Sequence, residues 1–156
     1  QKTSGGMSNF TLKQLPVIPP SRYEEEFCGE RLADVIAGRG LELVYTAWDI
    51  RAFARDLGDE GPPFVWDEER RAQLRAQLDA IYFHLYGIER ADVEYIMSTF
   101  PIVERKDRAA HGTYRTRDLI LGYYDAYAAG DLQVWLGPEE KRAERHPSRP
   151  APFGRG

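Results

Sequence analysis

A chain of 156 residues with 42% hydrophobic and 29% charged side chains is long enough to bury one sizeable core and has the balance of a soluble globular domain. It holds no apolar run near the ~20 residues needed to span a bilayer. Its single cysteine, Cys28, excludes an internal disulfide and a multi-cysteine zinc site and fits the reducing cytoplasm. The net charge of −4 excludes a uniformly basic nucleic-acid binder and leaves only a local basic patch for such a role.

The opening stretch, Gln1 to Pro20, reads as the trailing end of a preceding unit. Ser8-Asn9 can cap a short helix through Phe10–Leu15, Pro16 forces an exit, and Val17-Ile18 reads as a short strand stopped by Pro19-Pro20. Ser21 to Ala37 is expected to be a helix, with Glu24 to Glu26 in its first turns and Gly38 as its stop. Leu41 to Leu57 is expected to be a second helix, apolar on two sides and packed between neighbours. A loop with a rigid Pro62-Pro63 pair follows.

Asp67 is placed to cap a helix in which Leu74, Leu78, Ile81 and Leu85 repeat at spacings of four, three and four. Trp66 is placed to staple its first turn. Gly87 ends it. Asp92 to Phe100 repeats the apolar pattern at Val93, Ile96, Met97 and Phe100, and Pro101 lies just beyond. Ile102 to Arg115 is strongly charged and ambiguous. Thr116 to Ala129 is a helix with Ile120, Tyr123, Tyr124 and Tyr127 on its stripe, closed by Gly130. Asp131 to Leu136 reads as a short strand or turn. Residues 137–156 are expected to form a flexible tail. The fold class is therefore mainly α: four or five helices in a bundle-like domain over residues 21–136, after a short N-terminal β remnant at 1–20.

Chemistry-bearing motifs are scarce. Neither GxGxxG nor GxxxxGK[ST] occurs, and nucleophile elbows and HExxH pairs are absent. His84, His111 and His146 stand far apart, and His84, near a helix end, suits a structural hydrogen bond. The carboxylates have no spacing that selects a pair. Most of the aromatic residues fall on core stripes. No catalytic, cofactor-binding or metal-binding residue is assigned.

One surface stands out. Between Phe100 and Asp118, five basic residues (Arg105, Lys106, Arg108, Arg115, Arg117) meet three acidic ones. They are interleaved with Thr113, Tyr114 and Thr116, and Gly112 lets a backbone come close. That mixture suits phosphate contacts that set register without reading sequence. The same charges equally suit a solubilised helix connection, with Arg115 and Arg117 paired to Glu104 or Asp118 inside the fold.

Two stretches carry a resemblance. Ser4-Gly5-Gly6-Met7-Ser8-Asn9-Phe10, with Leu12-Lys13-Gln14-Leu15-Pro16-Val17 and Pro19-Pro20, resembles the close of the target-recognition domain in large bacterial adenine-specific DNA methyltransferases. These include fused type IIG restriction–modification enzymes and phage-defence methylases with a TaqI-like specificity domain. Tyr82 to Gly87, Asp92, Tyr95-Ile96-Met97, Thr99 to Val103, Arg105-Lys106-Asp107, Gly112, Tyr114 to Arg117 and Leu119-Ile120-Leu121 are similar to the helical C-terminal region of the same proteins.

The resemblance implies a larger parent that binds S-adenosylmethionine and methylates an adenine amine of double-stranded DNA. This chain would be its non-catalytic end, attached to upstream methyltransferase and recognition domains. The chain departs from the family in lacking the cofactor loop and the Asn-Pro-Pro-Tyr/Phe tetrapeptide; Pro62-Pro63-Phe64 follows Gly61 instead. No catalytic role transfers. Lys13 and Gln14 join Arg105, Lys106, Arg108, Arg115 and Arg117 as candidate DNA contacts. The alternative is a helical module that docks on a partner subunit and never meets nucleic acid.

Overall fold

The computed structural model describes residues 16–138 and 143–147; the expected capped helix of Phe10–Leu15, and with it Lys13 and Gln14, lies outside them. The protein is mainly α, with one two-stranded antiparallel sheet among the described residues. Among the described residues six α-helices run in the order α1 (Leu32–Val44), α2 (Arg51–Asp56), α3 (Glu68–Leu85), α4 (Arg90–Ser98), α5 (Pro101–His111) and α6 (Arg115–Ala128).

The first part differs from its sequence reading. Val17-Ile18 forms no strand; Val17 is exposed and Ile18 buried in an irregular lead-in. The expected helix over Ser21–Ala37 is a single 3₁₀ turn (Pro20–Glu24), then a hairpin of β1 (Glu26–Phe27) and β2 (Glu30–Arg31), and only then α1. Cys28 and Gly29, with φ of 50° and 84°, make the two-residue turn that suits the right-handed twist of paired strands. The helix then continues through Gly38 and Gly40. Val35 on one side and Leu41 and Tyr45 on the other are buried, and that packing outweighs a helix cost of about 1 kcal/mol per glycine.

Leu41–Leu57 is likewise broken. α1 ends at Val44, the chain extends through residues 45–47, and a 3₁₀ turn (Trp48–Ile50) leads into the short α2. The break serves Tyr45, whose side chain is fully buried, whose hydroxyl donates to Gly61 O at 3.0 Å, and whose carbonyl accepts from Phe64 N at 2.8 Å. The residues expected on two faces of one helix are therefore divided among the end of α1, the 3₁₀ turn and α2.

The second part follows its pattern. Asp67 caps α3, its Oδ1 accepting from Arg70 N at 2.9 Å. α6 lies along α3 as the principal pair, and α4 and α5 pack against α6. The stripe residues Ile81, Val93, Met97, Ile120, Tyr123 and Tyr127 form the main core. On α3 the buried face also takes Gln73, Ala76, Gln77 and Ala80, small or polar residues that admit the bulky tyrosines of α6. Pro101 begins α5 instead of merely ending α4, since a first-turn position needs no N–H. The charged Ile102–Arg115 stretch is thereby mostly helical. Gly112, at φ 78°, ends it in the left-handed region. Residues 131–136 form a turn rather than a strand, Asp131 Oδ1 accepting from Gln133 N at 3.0 Å.

A second, smaller cluster joins Leu41, Tyr45, Ala54 and Phe64. Residues 143–147, which the sequence places in a tail, close it by pairing antiparallel with the segment at 63–65. Val65 N donates to Glu144 O at 2.9 Å and His146 N to Pro63 O at 2.8 Å.

Candidate nucleic-acid interface

α5 builds the candidate surface. Its inner side presents Val103 and Asp107, both half-buried, and Asp107 Oδ2 accepts from Thr116 N at 2.6 Å. α6 has no side-chain cap of its own, so this carboxylate from α5 takes over one of its free N–H groups. Tyr114, between the two helices, is buried and donates to Met97 O at 2.9 Å. The corner between α5 and α6 is thus rigid, and it fixes what the outer side of α5 displays.

That outer side carries Ile102, Arg105, Lys106 and Ala109, one turn apart and all exposed. Arg105 and Lys106 have no ion-pair or hydrogen-bond partner among the described residues. The other three cations of the segment are engaged. Arg108 pairs with Glu104 at 2.8 Å, one turn back. Arg117 pairs with Asp118 at 2.7 Å and lies over the Tyr114 ring at 5.5 Å. Arg115 reaches across to Glu69 on α3 and is half-buried there. Of the two internal partners the sequence suggests, Asp118 takes Arg117, while Glu69 takes Arg115. The structure therefore brings Arg105 and Lys106 together as free cations and draws Arg115 inward.

Other residues weighed in the sequence find structural places. His84 stacks on Tyr124 with ring centres 3.9 Å apart and planes 10° apart, and its Nε2 lies 2.9 Å from Tyr124 O, which makes that nitrogen the N–H donor. Trp66 does face the first turn of α3, but its partner is Arg71, whose guanidinium sits 3.6 Å from the ring centre. The staple is a cation on a ring, in the place where a hydrophobic pair is usual.

A second feature escaped the sequence reading. Between α1, α3 and residues 132–135 lies a cleft of about 430 Å³ whose lining includes Asp34, Arg39, Glu42, Arg70, Gln77 and Trp135. Its charges are tied internally. Arg70 forks onto Glu42, with Nη2 to Oε2 at 2.9 Å, and lies over Trp135 at 5.4 Å; Arg39 donates to Gln77 Oε1 at 2.7 Å. These residues sit on three separate elements with ordinary helical spacing, so no local signal marks them. They bind α1 to α3 and hold the 131–137 segment.

Among the described residues no group of His, Cys, Asp and Glu is arranged to hold a metal ion, and no helix is long and apolar enough to cross a membrane. No protein-family model, curated protein or solved structure matches the chain.

Proposed function

We propose that this chain is the C-terminal, non-catalytic region of a bacterial adenine-specific DNA methyltransferase of a restriction–modification or phage-defence system, acting in the cytoplasm. In this reading its helices support the upstream recognition domain, and its outer α5 face touches the DNA backbone. S-adenosylmethionine belongs to the parent's catalytic domain. The reading rests on the two resembling stretches, and the observation that carries its DNA contact is the unpartnered pair Arg105 and Lys106 on a rigid, exposed helix face. Arg108, Arg115 and Arg117 are secondary contacts at most, because a phosphate would have to displace Glu104, Glu69 or Asp118.

The two cations that are free among the described residues give weak, sequence-independent binding, at best on the order of 10⁻⁴ to 10⁻⁶ M at physiological salt. With about two phosphates neutralised, log K should fall against log salt with a slope near −2. Fluorescence anisotropy with a labelled random-sequence duplex measures both. Arg105→Ala with Lys106→Ala should abolish the binding, while Arg115→Ala should act mainly on stability. Binding that survives the double substitution removes the α5 face from the reading. Sequencing the coding region upstream tests the parentage: a recognition domain preceded by Asn-Pro-Pro-Tyr/Phe is expected.

A second reading, docking on a partner protein, is favoured by a different observation. Tyr95, Phe100 and Ile102 stand exposed at 70%, 48% and 60% around the α4–α5 corner. Large apolar side chains displayed together mark interaction surfaces.

A further inference from the structure

α5 divides two kinds of surface. Outward it shows Arg105 and Lys106; inward, with α3, α4 and α6, it encloses an apolar groove of about 260 Å³ walled by Phe83, Ile96, Met97, Phe100 and Val103. Small-molecule sites run from ~300 to 1,000 Å³, so this groove suits a side chain better than a cofactor. Met97 gives its floor an adaptable surface.

Asp79 stands at the rim, exposed on one side and without a hydrogen-bond or ion-pair partner among the described residues. Beyond Asp79 and Thr116 the groove opens into a polar cleft of about 510 Å³. There Glu68, Glu69, Asp79 and Asp107 face two guanidinium groups, Arg75 and Arg115. Arg75 is taken by Glu68 at 3.0 Å, Arg115 by Glu69, and Asp107 by the Thr116 N–H. Asp79 is the carboxylate left over. Desolvation by the surrounding protein pushes its carboxyl above the ordinary range, against the lowering influence of Arg75. A carboxylate in that position gains from a cation brought by a partner and repels a phosphate.

We propose that this groove docks a segment of a partner polypeptide in which one large apolar side chain stands beside a lysine or arginine. The apolar side chain fills the groove past Phe100, and the cation pairs with Asp79. This gives the second reading above its partner chemistry, and it rests on that reading and not on DNA contact.

Selection of phage-displayed random peptides on the immobilised 156-residue chain is the test. Enriched peptides should carry Leu, Ile, Met or Phe within about one helical turn (3.6 residues) of Lys or Arg. A selected peptide, followed by fluorescence anisotropy, should bind about tenfold more weakly to Asp79→Asn, since a charge-assisted bond is lost. Phe100→Ala should weaken it similarly. Both positions are exposed, and circular dichroism checks that each variant keeps its helices. Arg105→Ala with Lys106→Ala should leave peptide affinity unchanged, and Asp79→Asn should leave DNA binding unchanged, so the two readings fail separately. The proposal is overturned by enrichment of acidic peptides, by no enrichment, or by affinity indifferent to both groove variants. Light scattering that shows a dimer abolished by Phe100→Ala would also overturn it, because the occupant would then be a second copy of this chain.

Discussion

The Tyr123 hydroxyl donates to Gln73 Oε1 at 2.7 Å and accepts from the Leu136 N–H at 3.2 Å, with both side chains out of contact with water. Gln73 Nε2 in turn donates to Glu69 Oε1 at 3.2 Å, and Glu69 holds Arg115. One chain of polar contacts therefore runs from residues 131–137 through α6 and α3 to the start of α6. Tyr123 was legible as a stripe residue, but Gln73 was not. Helical periodicity marks apolar positions, and a buried glutamine is recognisable only once its partner across the interface is known. Tyr123→Phe removes the hydroxyl while keeping the ring, stranding the Gln73 carbonyl and the Leu136 N–H. A buried group left unsatisfied costs about 1–3 kcal/mol, and urea denaturation should show a loss of that size. Adding Gln73→Met to Tyr123→Phe should recover part of it, because an apolar pair leaves the Leu136 N–H without its partner while Glu69, which loses the Gln73 donor, keeps Arg115.

Among the elements, the second half of the chain was readable and the first was not, for a physical reason. α4 buries Val93 and Met97 and α6 buries Ile120, Tyr123 and Tyr127, so their periodicity survives in the sequence; of the α3 stripe Leu74 and Ile81 are buried and Leu78 and Leu85 half-buried, and Gln73, Ala76, Gln77 and Ala80 fill the rest of its buried face. α1 is held by contacts from elsewhere. Its glycines carry a local cost that the sequence displays, whereas the burial of Val35, Leu41 and Tyr45 that offsets the cost is tertiary. Pro101 misleads in the same way, since only the structure shows whether a proline follows one helix or opens another. Gly38 lies in a helix with nothing within 4 Å of an added Cβ, so Gly38→Ala should stabilise the fold by about 0.5–1 kcal/mol. Gly112, at φ 78°, also has open space, yet a Cβ there meets its own backbone. Gly112→Ala should therefore destabilise by roughly 1–2 kcal/mol. Thermal melts of the two variants should move in opposite directions.

At the scale of the whole molecule, composition and stripes reach the fold class and the location of the basic segment, but not its pairing. Arg115 finds Glu69 from 46 residues away, and no count of charges in a segment reveals that. The smaller core was hidden for the same reason: it is assembled from residues 41–64 and closed by residues 143–147, across most of the chain. Its clasp is Arg145, which lies over the Phe64 ring at 3.8 Å, donates from Nη1 to Pro62 O at 2.8 Å and forks onto Asp59 with Nη1 to Oδ1 at 3.0 Å. A Cβ on Gly61 would stand 2.7 Å from Arg145 Nη1, so this approach depends on glycine. The Arg145 hydrogen bonds hold the Asp59 carboxyl below its ordinary 3.8. A carboxyl depressed in the folded state binds its proton more readily when unfolded, so the pair stabilises the fold above the unfolded value and loses that contribution as pH falls through the folded one. Arg145→Ala should cost about 1–3 kcal/mol at neutral pH, the range for a hydrogen-bonded charge. Below pH 3.8 the gap between wild type and variant should narrow as Asp59 takes up its proton, down to what the Pro62 and Phe64 contacts of Arg145 contribute. Hydrogen exchange should place the loss in residues 41–64 and leave the α3–α6 pair protected, because the two clusters share no buried residue. A gap between wild type and variant that stays constant through the acid range would show that Arg145 acts by packing on Phe64 and not through Asp59.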